Sequence, residues 1–256
     1  MIPKPVLEIC HYGFTEITNN AIDHSEGTAI DVHVSVDRAR ISIMISDDGV
    51  GIFKKIKDGL GLADERQSII ELSKGKVTTD PARHTGEGVF FTTRLFDEFS
   101  MFSGKLFFSH TEPDDDWLIE TAQELPKGTR ALMIIRLHAK RTTKEVFDRY
   151  TSSGDTYAFS KTHVPVSLIR VGEENLVSRS QAKRLLARFD RFQEVMLDFN
   201  GVLSIGQAFA DEIFRVFRNA NPHIRIIWIR ANPQVERVIL GAMMASDRPP
   251  VVTEQG

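Results

Sequence analysis

The sequence is poor in the residues that build disulfides, multi-cysteine metal centres and membrane spans. Its 256 residues include a single cysteine, Cys10, which excludes an intramolecular disulfide and a metal site with several cysteine ligands. No apolar run approaches the roughly 18 residues of a membrane-spanning helix. Residues 1–5 also lack the basic-then-apolar layout of a signal peptide. We therefore expect a soluble, cytoplasmic chain without membrane association.

The sequence also lacks a large excess of either charge. Its 32 Lys and Arg against 35 Asp and Glu leave a formal net charge of -3, and 41% of the residues are hydrophobic. Such a composition is typical of a folded protein and requires no acidic or basic partner. One basic cluster surrounds a predicted helix without sharing one face, and it comprises Arg179, Lys183, Arg184, Arg188 and Arg191. The cluster is the basis for the alternative of a DNA-associated module, in which DNA binding would depend steeply on salt.

The length predicts two domains, which we place at 1–140 and 161–256 with a polar linker at 141–160. Hydrophobic periodicity in the first part predicts helices at 6–24, 62–73 and 88–99, and strands at 30–36, 39–46, 105–111, 117–122 and 129–137. The second part alternates strands at 164–171, 194–199 and 224–230 with helices at 180–189, 206–219 and 233–244. The fold class expected is an α+β layer of helices on a largely antiparallel sheet, followed by a small α/β domain.

Three polar residues of the first predicted helix share one face. Glu16, Asn20 and Asp23 are separated by four and then three residues, a spacing that aligns side chains along a helix. They make a poor core, but an amide oxygen can ligate Mg²⁺ beside a nucleotide without over-neutralising it. Glu16 would be left to orient a water or a hydroxyl. A solvated helix face is the alternative interpretation.

A carboxylate followed by two glycines ends the second predicted strand. Residues 47–52 read Asp-Asp-Gly-Val-Gly-Ile, so Asp47 is a fixed acceptor beside a backbone that a flat ring can approach closely. The exocyclic amine of adenine is a donor that such an acceptor can recognise. Ordinary Asp-Gly turn chemistry is the alternative here.

Glycines also precede the helix predicted from residue 88. Residues 84–88 read His-Thr-Gly-Glu-Gly, and glycines at a helix start leave backbone N–H groups and the positive end of the helix dipole facing outward. This arrangement suits a phosphate, although a plain loop with a helix cap would look the same. We expect the segment from Thr78 to Glu87 to be a mobile loop, because it is rich in Thr, Asp, Pro, His and Gly.

Taken together in this order, the three segments resemble the GHKL superfamily of gyrase, Hsp90, histidine kinase and MutL ATPases, over residues 6–137. The matching positions are Glu16, Asn20 and Asp23 for the asparagine helix, Asp47, Gly49 and Gly51 for the first glycine box, Gly86 and Gly88 for the second, and Thr129 for the Gly-Thr that opens a late strand. The second glycine box is shorter than in many histidine kinases. No segment with a phosphoacceptor His is evident, so a complete sensor histidine kinase is not expected.

The resemblance implies an α/β sandwich (the Bergerat fold) that binds ATP and Mg²⁺. It implies that Asn20 binds Mg²⁺, that Asp47 accepts a hydrogen bond from adenine and that Glu16 is catalytic. The region between the glycine boxes would close over the nucleotide as a lid, in which Lys74 and Lys76 are either phosphate contacts or solvated lysines. The full set of implied ATP-binding residues is Asn20, Asp23, Asp47, Gly49, Gly51, Ile52, Thr85, Gly86, Gly88 and Thr129.

The second part, from residue 163 to 245, resembles the STAS-like domain of anti-sigma-factor antagonists and its DUF4325 relatives. The resemblance rests on an apolar strand ending in Asp198 and a helix that starts near Gly206. The antagonists carry a phosphorylatable serine at this helix start, where this sequence has Gln207 and Ala208. Ser204 lies slightly earlier and is our hypothesis for a phosphorylation site.

Three functions compete at this point. The leading hypothesis is an Mg-ATP-binding regulator whose lid closure, with slow or no hydrolysis, controls an interaction with a regulatory protein partner. The second is a protein serine kinase similar to the anti-sigma kinases, which the fused STAS-like part favours. The third is a DNA-associated or scaffolding module without catalysis. A homodimer is compatible with any of them.

Overall fold

The computed structural model describes residues 2–78, 85–111, 115–121, 127–152, 158–170 and 175–246. The chain forms two compact units, Met1–Phe159 and Ser160–Gly256. Within the described residues, no helix combines the length and the apolar character that crossing a membrane requires.

The first unit consists of five helices and six strands among its described residues. The helices are α1 (Lys4–His24), α2 (Ile52–Leu60), α3 (Glu65–Lys74), α4 (Gly88–Leu95) and α5 (Thr143–Tyr150). The strands are β1 (Ile30–Val36), β2 (Arg40–Asp47), β3 (Glu98–Ser103), β4 (Leu106–Thr111), β5 (Asp115–Glu120) and β6 (Thr129–Arg136).

The six strands form one antiparallel sheet in the order β1-β2-β6-β3-β4-β5. Successive residues of a strand point to opposite faces, so the alternating burial of β2, β6, β3 and β4 defines one covered face. Its centre is apolar, with Ile41, Ile43 and Ile45 of β2 opposite Ile135, Met133 and Ala131 of β6.

Helix α1 packs on this covered face, against β2 and β6, and contacts α4 beside it. Its buried residues Ile9, Ile17 and Ala21 recur at the spacing of one helix face. Gly13 permits the close packing, because a Cβ at that position would lie 2.4 Å from the Phe96 ring. The prediction of an α+β sandwich is therefore confirmed.

Three elements of the first unit differ from the sequence prediction. Helix α2 directly follows the glycine-rich turn, where the turn residues obscured its start. Strand β3 lies partly inside the helix predicted at 88–99, since that helix ends at Leu95 and the backbone of Phe96 is already extended.

Helix α5 lies in the predicted linker and belongs to the first unit. It begins with a capping box between Thr142 and Glu145. The centre of its Phe147 ring lies 4.3 Å from the centre of the Phe91 ring and 5.5 Å from that of Tyr12. The linker prediction extended to residue 160, and its residues 153–157 lie outside the described part of the chain.

The second unit contains a parallel three-stranded sheet in the order β7-β8-β9. Its strands are β7 (Lys161–Pro165), β8 (Glu194–Asp198) and β9 (Arg225–Ile229), and its helices are α6 (Arg179–Leu186), α7 (Gln207–Asp211), α8 (Arg218–Ala220) and α9 (Pro233–Ser246). A π-helical stretch, Glu212–Phe217, joins α7 to α8. The predicted small α/β domain is confirmed.

Candidate functional site

One cleft of the first unit gathers most of the residues that the sequence singled out. The empty space within it, counted together with the open solvent at its mouth, is about 980 Å³. Nine of the eleven predicted site residues line it, and they are Glu16, Asn20, Asp47, Gly51, Ile52, Thr85, Gly86, Gly88 and Thr129. They come from α1, the end of β2, the start of α2, the segment that leads into α4, the first residue of α4 and the start of β6.

Two kinds of surface make up the wall of the cleft. Apolar side chains of the sheet and of the surrounding helices supply one part, and they are Ile17, Ile45, Ile56, Leu72, Val89 and Met101. Glu16 and Asn20 supply a polar part from α1, beside the start of α4. The cleft can therefore take a ligand with a flat apolar portion and a polar portion.

Asp47 is held in place by backbone groups. Its Oδ1 accepts hydrogen bonds from the N–H groups of Gly49, at 2.9 Å, and Thr129, at 3.3 Å. The Thr129 hydroxyl in turn accepts the Ile52 N–H at 2.9 Å, which connects the start of α2 to β6. Burial raises the pKa of the Asp47 carboxyl above its usual value, and the two backbone bonds act against that rise. A ligand that donates a hydrogen bond to Asp47 would stabilise its charged form.

The turn around Asp47 requires glycine. Gly128 has φ of 75°, and a Cβ there would lie 1.8 Å from the carbonyl oxygen of Asp47. The Gly128 N–H donates to the carbonyl of Gly49 at 2.7 Å. Gly49 is a predicted site residue that does not line the cleft. It holds Asp47 in place through its N–H group and holds Gly128 through its carbonyl.

Glu16 lies directly against the start of α4. A Cβ on Gly88 would come within 1.9 Å of Glu16 Oε2, so only glycine allows this approach. The first N–H groups of α4 have no acceptor within the helix, and they begin beside this carboxylate. The polar end of the cleft therefore combines a carboxylate, the Asn20 amide and a helix N-terminus.

At the second glycine box, Gly86 and Val77 lie side by side at the border of the cleft, and we call this pair the neck. Gly86 has φ of 73°, and its carbonyl accepts the Val77 N–H at 3.0 Å. This bond joins the two ends of the segment that we expected to be a mobile loop. Its residues 79–84 lie outside the described part of the chain.

Asp23 is the other predicted residue that does not line the cleft. It is exposed on the last turn of α1, whereas His24 and Ser25, which follow it, contribute to the lining. The face of α1 that lines the cleft runs through Asn20, Ala21 and His24, and the side chain of Asp23 is rotated away from that face.

The alternative of a solvated Lys74 is wrong. Lys74 is 1% exposed and pairs with Glu71, also 1% exposed, at 2.6 Å within α3. It is neither solvated nor part of the cleft lining. Its neighbour Lys76 has φ of 57°, and its ammonium lies 5.5 Å from the centre of the Phe159 ring.

A different lysine, Lys55, lines the cleft. It lies on α2 and pairs with the exposed Glu26. Lys55 was not among the predicted site residues, because α2 was not predicted. The signal was present, since the buried Phe53 and Ile56 follow Gly51 at helical spacing.

The second unit also has a carboxylate at the end of a strand, Asp198, which is paired with two basic side chains. Asp198 is 1% exposed, and His163 Nε2 lies 2.9 Å from its Oδ2. Arg230 pairs with both of its oxygens, and the Asn200 N–H donates to Oδ1 at 2.9 Å. Burial alone would raise the pKa of Asp198, but the hydrogen bonds from His163 and Arg230 outweigh it and lower the pKa to about 2.

Comparison with protein families gives two matches, one in each unit. Residues 9–99 match the histidine kinase-, DNA gyrase B- and HSP90-like ATPases. Residues 181–236 match the STAS-like domain of unknown function, DUF4325. The predicted pairing of a GHKL region with a STAS-like region is confirmed. The GHKL match supports ATP binding by the first unit, and no curated protein is significantly similar to the chain.

Ser204 falls within the STAS-like match. It lies before α7 in the loop that follows β8, and its hydroxyl is 3.5 Å from Asn175 Oδ1. Its side chain is half-buried.

Proposed function

We propose that the first unit binds Mg-ATP in the cleft around Asp47 and Asn20, and that the nucleotide state controls an interaction with a protein partner. The observation that carries the proposal is the convergence of three separate sequence segments on one cleft. The GHKL match over residues 9–99 supports the same ligand.

In this proposal Asp47 recognises the base. Its Oδ1 is occupied by two backbone donors, and Oδ2 is the oxygen we assign to the exocyclic amine of adenine. Ile45, Ile52 and Met101 supply apolar wall for the ring. A guanine would turn a carbonyl oxygen toward the same carboxylate, so we expect discrimination against GTP.

Asn20 is our candidate ligand for Mg²⁺. Mg²⁺ takes oxygen ligands and is commonly bound through one or two protein groups together with substrate phosphates and waters. Asn20 lies at the polar end of the cleft beside Glu16, so the residues present fit the ion. When bound, Mg²⁺ would neutralise phosphate charge and fix the geometry of the triphosphate.

Glu16 is our candidate catalytic residue. Its carboxylate lies against Gly88 at the start of α4, where the first N–H groups of the helix would hold a phosphate. From this position Glu16 would orient a water or a hydroxyl toward that phosphate and accept its proton. Closure of the region between the two glycine boxes over the nucleotide would exclude bulk water.

The regulatory part of the proposal rests on the presence of a STAS-like region in the same chain. Binding of ATP can shift a protein between two states only if the ligand contacts differ between those states. The neck formed by Val77 and Gly86 borders the cleft and is the element we assign to that change.

A protein serine kinase is the second candidate, and the position of Ser204 inside the STAS-like match favours it. In this version the hydroxyl of a serine replaces water. Incubation with γ-labelled ATP distinguishes the two. Label on protein, lost in Ser204→Ala if that residue is the acceptor, supports transfer, and label released only as free phosphate supports hydrolysis.

Calorimetric titration tests ATP binding itself. We expect the chain to bind ATP and a non-hydrolysable analogue with Mg²⁺, and GTP at least about a hundredfold more weakly. The matched control is Asp58→Asn, which removes a charge from the exposed face of α2 outside the cleft. Equal affinity for ATP and GTP would contradict the assignment of Asp47, and no binding of either would overturn the proposed function.

A further inference from the structure

The first unit exposes an unusually apolar edge strand. Strand β1 is the outermost strand of the sheet, and every residue after Ile30 is exposed. Val32, Val34 and Val36 are 46%, 54% and 56% exposed. These three valines occupy every second position of the strand and therefore lie on one face of it.

That face is the one covered by helices elsewhere in the sheet. The register pairs Val32 with Ile45 and Val34 with Ile43, and both isoleucines are at most 4% exposed beneath α1. Val36 pairs with Ile41 in the same way. The valines thus lie on the same face as the buried isoleucines, one strand beyond the part of the sheet that α1 covers.

Val32, Val34 and Val36 together form an open apolar stripe at the edge of the sheet, which we call the β1 face.

The two edges of the sheet differ in how they resist pairing with another strand. Exposed edges are usually protected by charges or proline. Strand β5 carries Asp115, Asp116 and Glu120, and antiparallel pairing of two such strands would bring Asp115 opposite Glu120. Strand β1 has no proline or lysine, and its only charge is Asp31.

We propose that the β1 face is the interface of a homodimer, in which the β1 strands of two copies pair antiparallel about a two-fold axis at His33. This is the register that overlaps all seven residues. It places Val32 opposite Val34 and Ile30 opposite Val36, so the apolar stripe is continuous across both copies. Asp31 meets Ser35 rather than another carboxylate, so the pairing brings no like charges together. The proposal is independent of ATP binding.

Sedimentation velocity over a range of concentrations tests the interface. We expect a dimer for the native chain and a monomer for Val34→Lys, because two lysines would be placed on the apolar stripe. Ile119→Lys is the matched control, since Ile119 is 49% exposed on the opposite edge strand β5, and it should remain dimeric. Because Val34 is exposed, the variant should fold, which an unchanged unfolding temperature would verify. A monomeric native chain, or a Val34→Lys chain that still dimerises, overturns the proposal.

Cross-linking tests the register. With a short bismaleimide reagent, His33→Cys should link two copies, because both cysteines lie at the axis. Asp31→Cys should not, since its counterpart in the other copy is about 13 Å away along the strand. The native Cys10 is buried, and burial raises its thiol pKa to about 11, so it should not react. Linking through Asp31→Cys with none through His33→Cys contradicts the proposed axis.

Discussion

Each unit of the chain ends a strand with a partly or fully buried aspartate, and the two aspartates have opposite environments. Asp47 ends β2 at the wall of an open cleft, and within the described residues its backbone donors all bond to Oδ1. Asp198 ends β8 and is enclosed by His163, Arg230 and the Asn200 N–H. Burial raises the pKa of Asp47, whereas the pKa of Asp198 is lowered to about 2. The contrast separates a carboxylate suited to a ligand from one that stabilises its own fold.

The largest effect should follow from removing the charge of Asp198. Asp198→Asn leaves Arg230 and His163 without their carboxylate partner, and breaking a buried ion pair costs about 3–5 kcal/mol. Urea unfolding of the second unit, followed by Trp228 fluorescence in a Trp117→Phe background, measures this loss. ATP affinity should be unchanged. A cost below about 1 kcal/mol would mean that Asp198 does not have the structural role assigned to it.

The corresponding substitution in the first unit should reverse this pattern. Asp47→Asn should weaken ATP binding about a hundredfold, because the amide replaces a charged acceptor for the adenine amine. It should leave the free energy of unfolding nearly unchanged. The native protein has a cost for burying the charged carboxylate, and the neutral amide removes that cost along with the stronger hydrogen bonds. Calorimetry and urea unfolding of the same preparation give both values. A large loss of stability with intact binding would place Asp47 in the same class as Asp198.

The pH dependence of stability should separate the two aspartates next. The pKa of Asp198 is lowered in the folded unit, so its contribution of about 2 kcal/mol is complete above the unfolded value near 4 and is lost as pH falls toward 2. The difference in unfolding free energy between native and Asp198→Asn chains should therefore narrow below about pH 4. For Asp47, whose pKa is raised, the sign is opposite, and its effect favours folding at low pH. A difference that widens on acidification contradicts the assignment.

The smallest effect should come from the group that supports Asp47. Thr129→Val removes the hydroxyl that accepts the Ile52 N–H, which should cost about 1 kcal/mol and weaken ATP binding several-fold. Thr129→Ser keeps the hydroxyl and is the matched control. Equal affinities for the two variants would show that the connection between β6 and α2 does not position Asp47.

Periodicity and turn chemistry were sufficient to predict most of the fold. Helix α1, the β1–β2 hairpin and the alternation of the second unit have strong local patterns that tertiary contacts did not override. The missed elements have weaker local signals. Strand β3 continues the apolar sequence of α4, and only its pairing with β4 and β6 makes it a strand. Helix α5 is polar except for the residues that pack on the first unit.

The site was predicted from residue types and their spacing. The errors of that prediction concern which side chains reach the cleft. Lys74 has the charge expected of a phosphate contact, yet its rotation on α3 buries it with Glu71. Lys55 has the same charge and lines the cleft. Local sequence does not distinguish the two lysines, because the distinction depends on which face of each helix the sheet covers.

The sequence by itself determined which groups could serve chemistry: an amide and a carboxylate on one helix stripe, and acids and glycines at the ends of strands. The tertiary structure alone decided what each group became. Asp47 and Asp198 follow similar apolar strands, but the partners that distinguish them lie 82 residues away at Thr129 and 32 residues away at Arg230. The fate of a carboxylate depends on the donors that surround it in space, and folding brings those donors from distant parts of the chain.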